Sequence, residues 1–472
     1  MGRRKKNKRV VENILITGIA DKGMSVGRNE EGEVFFIEDA VPGDVVNAVV
    51  IRKKKSHSIC RVKETVTLSP ERTTPFCKHF YHCGGCKWQN LKYDSQTKYK
   101  FIKIVNAMRR IGKIDTEGII HTVRYSKDIR YYRNKLEFTF CDKRWLTPEE
   151  IETKGFIETE PALGFHRPNS FNKVLNLDEC HLQNDLSNDI RNHLRDFCIE
   201  KQISFYNPYT HEGVMRNIII RNTLEGDWML LIVFGKDDAK KIKVVMEEMK
   251  QKFPFITALL YTVNPKFNDT IYDLDVHCYH GRPYIIERLG DVRYKIGPKS
   301  FFQTNSEGAK ILFDYVAEYA DFKGHENVYD LYTGLGSIAL YIAHSVGRVT
   351  GIEEIPEAIA DAKENCAFND IENASFYAGD VKDILNDDFI REHGQPDVVI
   401  TDPPRAGMSE KVIQTLLALA APKIVYVSCN PETQARDVLM LSEKYKVVKM
   451  QPVDMFPHTN HIENVALLVL KP

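Results

Sequence analysis

From about residue 299 to the C-terminus, short apolar runs alternate with helical patterns, and this alternation constrains the fold more than any other feature. Each apolar run is followed by a glycine turn, an acidic residue or a proline. Such alternation predicts a doubly wound α/β domain, in which ligands bind at the carboxyl ends of the strands. The predicted strand regions are 327–331, 348–353, 374–380, 397–404, 424–428, 447–453 and 465–470.

The ends of the first two predicted strands carry a pattern typical of adenosine-binding sites. Gly334 and Gly336 form a turn after the first strand, and Glu353 ends the second. Glycines let the backbone approach a ligand, while the acid accepts hydrogen bonds from ribose hydroxyls. Because Ala339 occupies the third glycine position of a dinucleotide fingerprint, the pattern favours S-adenosylmethionine over a pyrophosphate ligand.

Two further aspartates follow the third and fourth predicted strands. Asp380 is placed either to contact an adenine or to cap its own loop. Asp402 begins an Asp-Pro-Pro-Arg sequence in which the prolines fix a stiff turn. Amino-directed methyltransferases usually carry an aromatic residue after such prolines, so Arg405 departs from their pattern.

Cys429 follows the fifth predicted strand, and Pro431 suits the first turn of a helix after it. A thiol at the N-terminus of a helix is favoured as thiolate, which predicts a lowered pKa and a nucleophile at the binding edge. The alternative is a buried structural cysteine.

The N-terminal region reads differently. Residues 13–67 contain β-rich runs separated by glycines, which predict a five-stranded barrel of the oligonucleotide-binding type. Basic runs at 3–9 and 52–55 suit either phosphate contacts or a solvated surface, although the whole chain has a formal net charge of +0.

Three cysteines cluster at Cys77, Cys83 and Cys86. Since the spacing of the ten cysteines is irregular and no secretory signal is recognised, a metal site outranks disulfides. The spacing itself leaves both zinc and a [4Fe-4S] cluster open. The candidate fourth ligands are Cys141, Cys180, Cys198, His79 and His82.

Between these regions, residues 68–298 form a mixed α+β domain, in which 130–140 and 217–221 are predicted strands. Basic and aromatic side chains interleave from Arg130 to Lys135, a composition that can stack bases and hold phosphates, or simply pack together. The predicted organisation is a basic tail (1–12), the barrel (13–67), the central domain (68–298) and the α/β domain (299–472). No apolar run is long enough for a transmembrane helix, so we expect a cytoplasmic protein without a membrane partner.

Taken together, several motifs resemble those of the RNA uracil-5-methyltransferases, and the run from Gly18 to Asp44 resembles a TRAM domain. The motifs are Phe301-Phe-Gln-Thr-Asn305, Asp330-Leu-Tyr-Thr-Gly-Leu-Gly336, Gly351-Ile-Glu353, Asp402-Pro-Pro-Arg405, Val427-Ser-Cys-Asn-Pro431 and His461-Ile-Glu-Asn-Val-Ala-Leu467.

The resemblance extends to the iron-sulfur version of the family, which acts on 23S ribosomal RNA. It implies contacts to S-adenosylmethionine from Gln303, Tyr332, Glu353 and Asp402. It also implies a [4Fe-4S] cluster rather than zinc, and we expect the protein to be a monomer. The implied cluster ligands are Cys77, Cys83, Cys86 and Cys180.

The chemistry gives these residues roles that can be stated physically. Uracil C5 is a poor nucleophile until a thiolate adds to C6, which is the role predicted for Cys429. A base must then remove the C5 proton, and the resemblance implies Glu463, in the loop before the last strand. The target base has to leave any helix to react. Two alternatives are the same reaction on transfer RNA and a catalytically silent RNA-binding or ribosome-assembly factor.

Overall fold

A computed structural model describes residues 9–472 except 156, 169 and 171. These residues divide into two compact units. The first contains 9–103 together with Phe456–Asn460, and the second contains Ile104–Met455 and His461–Pro472. Among the described helices, none combines the length and the apolar character needed to cross a membrane.

The first unit contains a closed barrel built from five described strands. They are β1 (Val10–Ile19), β2 (Ser25–Arg28), β3 (Val34–Glu38), β4 (Val45–Lys53) and β5 (Ser58–Thr67). Their order around the barrel is β1-β2-β3-β5-β4, and apolar side chains such as Ile14 and Phe35 fill the interior. The β-rich runs of the sequence become β1, β3, β4 and β5, while β2 forms in a glycine-containing run. The assignment as a TRAM domain remains a prediction.

A second sheet lies in the central region of the chain. The described elements that follow the barrel along the chain are α1 (Tyr93–Arg110), β6 (Arg124–Tyr125), β7 (Lys135–Cys141), α2 (Pro148–Lys154), β8 (Ala162–His166), β9 (Val174–Asn176), α3 (Leu186–Glu200), β10 (Met215–Asn222), β11 (Trp228–Phe234), α4 (Ala239–Lys252), β12 (Ala258–Val263), β13 (His277–Gly281), β14 (Ile285–Leu289) and β15 (Val292–Ile296). Of these, β6 belongs to the C-terminal sheet. The described sheet order is β13-β12-β11-β10-β7-β8-β9, and β14 pairs with β15.

The predicted strand at 130–140 is wrong in its first half. β7 begins only at Lys135, because the chain turns at Tyr131, where φ is 56°. The Tyr131 and Arg133 N–H groups donate to the His181 and Leu182 carbonyls, at 2.8 and 2.7 Å, and hold this turn in place.

The C-terminal region forms the doubly wound α/β domain that the alternating pattern predicted. Its elements are α5 (Ser306–Ala320), β16 (Asn327–Leu331), α6 (Ser337–Ile342), β17 (Arg348–Glu353), α7 (Pro356–Phe368), β18 (Ala374–Ala378), α8 (Val381–Ile384), α9 (Asp387–His393), β19 (Val398–Thr401), α10 (Glu410–Leu419), β20 (Lys423–Ser428), α11 (Pro431–Leu441), β21 (Tyr445–Asp454) and β22 (Glu463–Leu470).

The strand order of this sheet places the candidate site. The order is β18-β17-β16-β19-β20-β22-β21-β6, parallel from β18 to β20, with β22 antiparallel to both of its neighbours. β19 is buried throughout, as expected for a parallel strand covered on both faces. Because the winding reverses between β16 and β19, the carboxyl ends of these strands frame a crevice where ligands bind in such folds.

Candidate active site

The turn after β16 and the acid that ends β17 meet at this crevice. The Gly334 N–H donates to Glu353 Oε2 at 3.1 Å, and the Ile355 N–H donates to Oε1 at 3.0 Å. Gly336 has φ 82°, and a Cβ there would stand 3.1 Å from the ring of Phe376. At Gly334, with φ 57°, a Cβ would find no heavy atom within 4 Å. The result is an open turn beside a carboxylate, which fits the ribose hydroxyls of an adenosine.

Two further carboxyl groups lie at the ends of β16 and β19, where Asp330 is buried and Asp402 is half-buried. Asp330, at the end of β16, accepts a hydrogen bond of 2.5 Å from the Thr333 hydroxyl. Burial raises the pKa of Asp330 to about 7. Burial, reinforced by the charge of Asp330, likewise raises the pKa of Asp402 to about 7. The sequence did not lead us to name Asp330 as a site residue. Thr333, three residues later at the turn, could have indicated it, because a hydroxyl at that position can donate a hydrogen bond to the aspartate.

The remaining residues predicted to contact the cofactor are held by local structure. Asp380 accepts from the Lys382 N–H at 3.1 Å, caps α8 and pairs with the Lys382 ammonium, which lowers the pKa of Asp380. These contacts of Asp380 are those expected of a loop-capping residue. Tyr332 is half-buried with φ 63°. Gln303 is half-buried in the loop before α5, and its carbonyl accepts from Asn134 Nδ2 at 2.9 Å.

Strand pairing brings Cys429 and Glu463 together. In the register of β20 and β22, Ser428 lies opposite Asn464, so Cys429 and Glu463 occupy the next position. Glu463 was predicted in a loop, but it is the first residue of β22, where it pairs with Val453. At this position in the sheet Glu463 is only 5% exposed.

Carboxylates and one guanidinium set the electrostatics of this site. Burial raises the pKa of Glu463 to about 8, with the charge of Asp402 adding to the shift and Arg405 opposing it. Burial and the charges of Glu463 and Asp402 raise the pKa of the Cys429 thiol to about 11. The Arg405 guanidinium, hydrogen-bonded to that thiol, opposes this shift.

The predicted lowering of the Cys429 pKa by a helix N-terminus is therefore wrong. Asn430, not Cys429, is the N-cap of α11, and its Oδ1 accepts from the Glu432 N–H at 3.2 Å. Burial and the nearby carboxylates outweigh whatever the helix contributes.

Arg405 is fixed by the turn that carries Cys429. Its carbonyl accepts from Asn430 Nδ2 at 3.0 Å and from the Thr433 hydroxyl at 3.2 Å, while its Nη2 lies 3.1 Å from His461 Nδ1. The sequence showed Arg405 only as a departure from the aromatic pattern. A positively charged residue beside the candidate thiol and the candidate carboxylates was the sequence signal that could have indicated a role for Arg405 in the site.

The cysteine segment belongs to the first unit. Cys77, Cys83 and Cys86 are half-buried in a segment of turns, where the Gly85 N–H donates to Cys83 Sγ at 3.4 Å. All-thiol donors and a nearby amide donor fit the chemistry of an iron-sulfur cluster. However, no group of three or more His, Cys, Asp or Glu side chains is arranged to hold a metal ion within the described ranges. The structure thus gives the donor type without an assembled site.

Cys180, in the second unit, is buried, and this burial raises the pKa of its thiol. The backbone N–H groups of Leu182 and Gln183 and the positive charge of Arg191 oppose the shift. Its surroundings therefore contain groups that stabilise a thiolate, as a metal ligand requires.

Known proteins are similar to this chain in sequence. The profile of the tRNA (Uracil-5-)-methyltransferase family matches residues 282–471. A protein named uncharacterized RNA methyltransferase from Bacteroides thetaiotaomicron is 48% identical over 93% of this chain and 97% of its own. One of the same name from Porphyromonas gingivalis is 48% identical over 96% of this chain and 99% of its own.

A solved structure extends the likeness to the whole architecture. The Pyrococcus abyssi tRNA (uracil-54, C5)-methyltransferase, in complex with S-adenosyl-L-homocysteine, superposes with a TM-score of 0.75 at 28% identity. The match covers 97% of this chain and 100% of that one. Together with the adenosine-type turn, the half-buried thiol of Cys429 and two carboxyl groups at one sheet edge, these matches show that the chain belongs to the RNA uracil-5-methyltransferase family, whose methyl donor is S-adenosylmethionine.

Proposed function

We propose that the protein methylates C5 of a uridine in ribosomal RNA, of the 23S type by resemblance, through a covalent bond between Cys429 and C6 of the ring. The observation that carries this proposal is the shared electrostatic site of Cys429, Glu463 and Asp402 around the Arg405 guanidinium. This site lies at the same sheet edge as the open glycine turn and Glu353.

Cys429 acts first as the nucleophile. Its thiol gives up a proton to water, and the sulfur adds to C6 while the ring electrons move to O4 as an enolate. A thiol with a pKa of about 11 is mostly protonated at neutral pH, so its attack requires a group that favours the thiolate. Arg405, the guanidinium hydrogen-bonded to the thiol, favours the thiolate as the ring enters.

S-adenosylmethionine, when bound, supplies the methyl group that the activated C5 receives. The open turn at Gly334 leaves space for the adenosine, and the Glu353 carboxylate suits the ribose hydroxyls. The residues proposed to hold the cofactor are Gln303, Tyr332, Gly334, Gly336, Glu353, Asp380 and Asp402.

Glu463 completes the reaction as the base. It takes the proton from C5, the electron pair restores the C5–C6 double bond, and the Cys429 thiolate leaves. Because burial raises the pKa of Glu463 to about 8, its basic form increases as the pH rises towards 8, and the elimination step accelerates with it.

The test measures the formation of 5-methyluridine (m5U) by the wild type, by Cys429→Ala and by a matched control, Cys278→Ala, which removes an exposed thiol. We expect Cys429→Ala to bind S-adenosylmethionine and form no m5U, while the control retains activity. Normal m5U formation by Cys429→Ala would contradict the covalent mechanism.

Transfer RNA is the second candidate substrate. It is favoured by the similarity to the solved Pyrococcus abyssi protein, which is a tRNA (uracil-54, C5)-methyltransferase. Ribosomal RNA is favoured by the resemblance of the cysteine segment and of the barrel sequence. Rates on a 23S transcript and on a transfer RNA transcript, measured side by side, decide between them. A faster reaction on the transfer RNA would overturn the ribosomal assignment.

We further propose that Cys77, Cys83, Cys86 and Cys180 hold a [4Fe-4S] cluster, with no reaction step passing through it. The thiol donors and the Gly85 N–H at Cys83 support this assignment. Iron and sulfide should be present after anaerobic purification of the wild type and reduced in Cys83→Ser. Stoichiometric zinc without iron would contradict the cluster.

A further inference from the structure

A cavity of about 530 Å³ opens in the second unit, apart from the crevice at the strand ends. Its walls come from residues 127–134, from Asn222 and Leu224, and from 305–307 at the start of α5. Its volume lies in the range of small-ligand sites. Among the described residues that line it, none is assigned above to the cofactor, to catalysis or to the metal, so it is a separate feature of the protein.

The walls of this cavity combine positive charge with aromatic rings. Lys127, Arg130 and Arg133 contribute cationic groups, against the carboxyl groups of Asp128 and Glu307. Two tyrosines also line the cavity, Tyr131, which is exposed, and Tyr132, which is buried. Aromatic rings beside guanidinium groups are the combination with which proteins hold single-stranded nucleic acids, because bases stack on the rings and phosphates pair with the cations.

Tyr131 is held in a conformation that its residue type disfavours. Its φ is 56°, in the left-handed region, yet its side chain remains 42% exposed. The backbone N–H donates to the His181 carbonyl at 2.8 Å, and the hydroxyl lies 3.0 Å from His181 Nδ1. A bulky residue fixed in this region while presenting its ring at a cavity indicates a functional constraint.

Asn134, which lines the cavity, also contacts the loop that contains Gln303, a residue proposed to hold the cofactor. The Asn134 N–H donates to the Thr304 carbonyl at 2.9 Å. Asn134 Nδ2 donates to the Gln303 carbonyl at 2.9 Å and to Ser306 Oγ at 2.8 Å. The cavity therefore adjoins the Gln303 loop while remaining distinct from the site of Cys429.

We propose that this cavity binds one nucleotide of the RNA substrate that flanks the target uridine, with its base on Tyr131 and its phosphate on Arg130 and Lys127. The inference rests on the proposed function, since it requires an RNA that is methylated at the Cys429 site. It adds a substrate-positioning site whose ligand is an unpaired nucleotide.

The experiment measures affinity for the RNA transcript that the wild type methylates. Tyr131→Gly is expected to weaken RNA binding about tenfold, in the range reported for loss of one base–aromatic stack. Since glycine adopts positive φ freely, the melting temperature should not fall, and S-adenosylmethionine binding should be unchanged. Tyr131→Phe keeps the ring and should bind as the wild type does. Tyr272→Ala, which removes a ring that is 68% exposed elsewhere, is the matched control.

The cations are tested through the salt dependence of the same binding. Arg130→Gln and Lys127→Gln should each reduce the slope of log affinity against log salt by about 0.7, the value for one phosphate contact on a single strand. Wild-type affinity in Tyr131→Gly, or a loss that appears only with a lower melting temperature, overturns the inference. If the wild type forms no m5U on any RNA, the proposed function itself fails, which is a different result.

Discussion

Replacing Glu463 by glutamine is expected to remove a pH-dependent loss of stability. Burial raises the pKa of Glu463 from its ordinary 4.5 to about 8. Between these values the unfolded chain releases the proton while the folded protein keeps it. Wild-type stability therefore falls as the pH rises, by about 1.4 kcal/mol per pH unit. Glutamine does not titrate, so between pH 5.5 and 8 the variant should gain on the order of 3 kcal/mol relative to the wild type.

Urea unfolding followed by circular dichroism at pH 5.5, 7 and 8 measures this difference. Glu354→Gln, which changes an exposed carboxylate, is the control and should follow the wild type. Asp402 has the same sign of shift but is present in all three proteins, so it does not create the difference. Parallel pH profiles for the wild type and Glu463→Gln would refute the buried, protonated state of this group.

Three further predictions concern the same site. Without RNA or S-adenosylmethionine, alkylation of Cys429 by iodoacetamide should be slow at neutral pH, and the pH dependence of its rate should have a midpoint near pH 11. Asp402→Asn should accelerate this alkylation, because it removes a charge that raises the pKa of the thiol. A midpoint near pH 8 would contradict the buried site. Arg405→Gln should slow alkylation, because the guanidinium favours the thiolate; a faster reaction would reverse its assigned role. Glu353→Gln should weaken S-adenosylmethionine binding about tenfold, measured by calorimetry, and unchanged affinity would remove Glu353 from the cofactor site.

The strand ends of the α/β domain were predictable because topology determines them. Alternating strands and helices favour a parallel sheet, and parallel strands bring their carboxyl ends to one edge. The glycine turn and Glu353 were therefore expected to meet, and the Gly334 N–H does donate to that carboxylate. For the same reason Asp402 and Cys429 could be assigned to this edge before any coordinates.

What the sequence could not predict depends on pairing register and on charges close in space. Glu463 was expected in a loop, but pairing with Val453 makes it a buried strand residue. The raised pKa of Cys429 comes from burial and from carboxylates more than 25 positions away along the chain, so the local helix argument gave the wrong sign. Tyr131 was expected in a strand, and only its bonds to His181, fifty positions later, reveal the turn.

The central claim is that Cys429 bonds to C6 of a uridine in RNA. RNA carrying 5-fluorouridine at the target tests it most directly, because fluorine replaces the C5 proton that Glu463 must remove and the adduct cannot resolve. Incubation with S-adenosylmethionine, followed by denaturing electrophoresis and peptide mass spectrometry, should find a methylated nucleotide attached to Cys429 and no adduct in Cys429→Ala. An adduct on another of the ten cysteines, or no stable adduct with RNA that is otherwise methylated, would contradict the account.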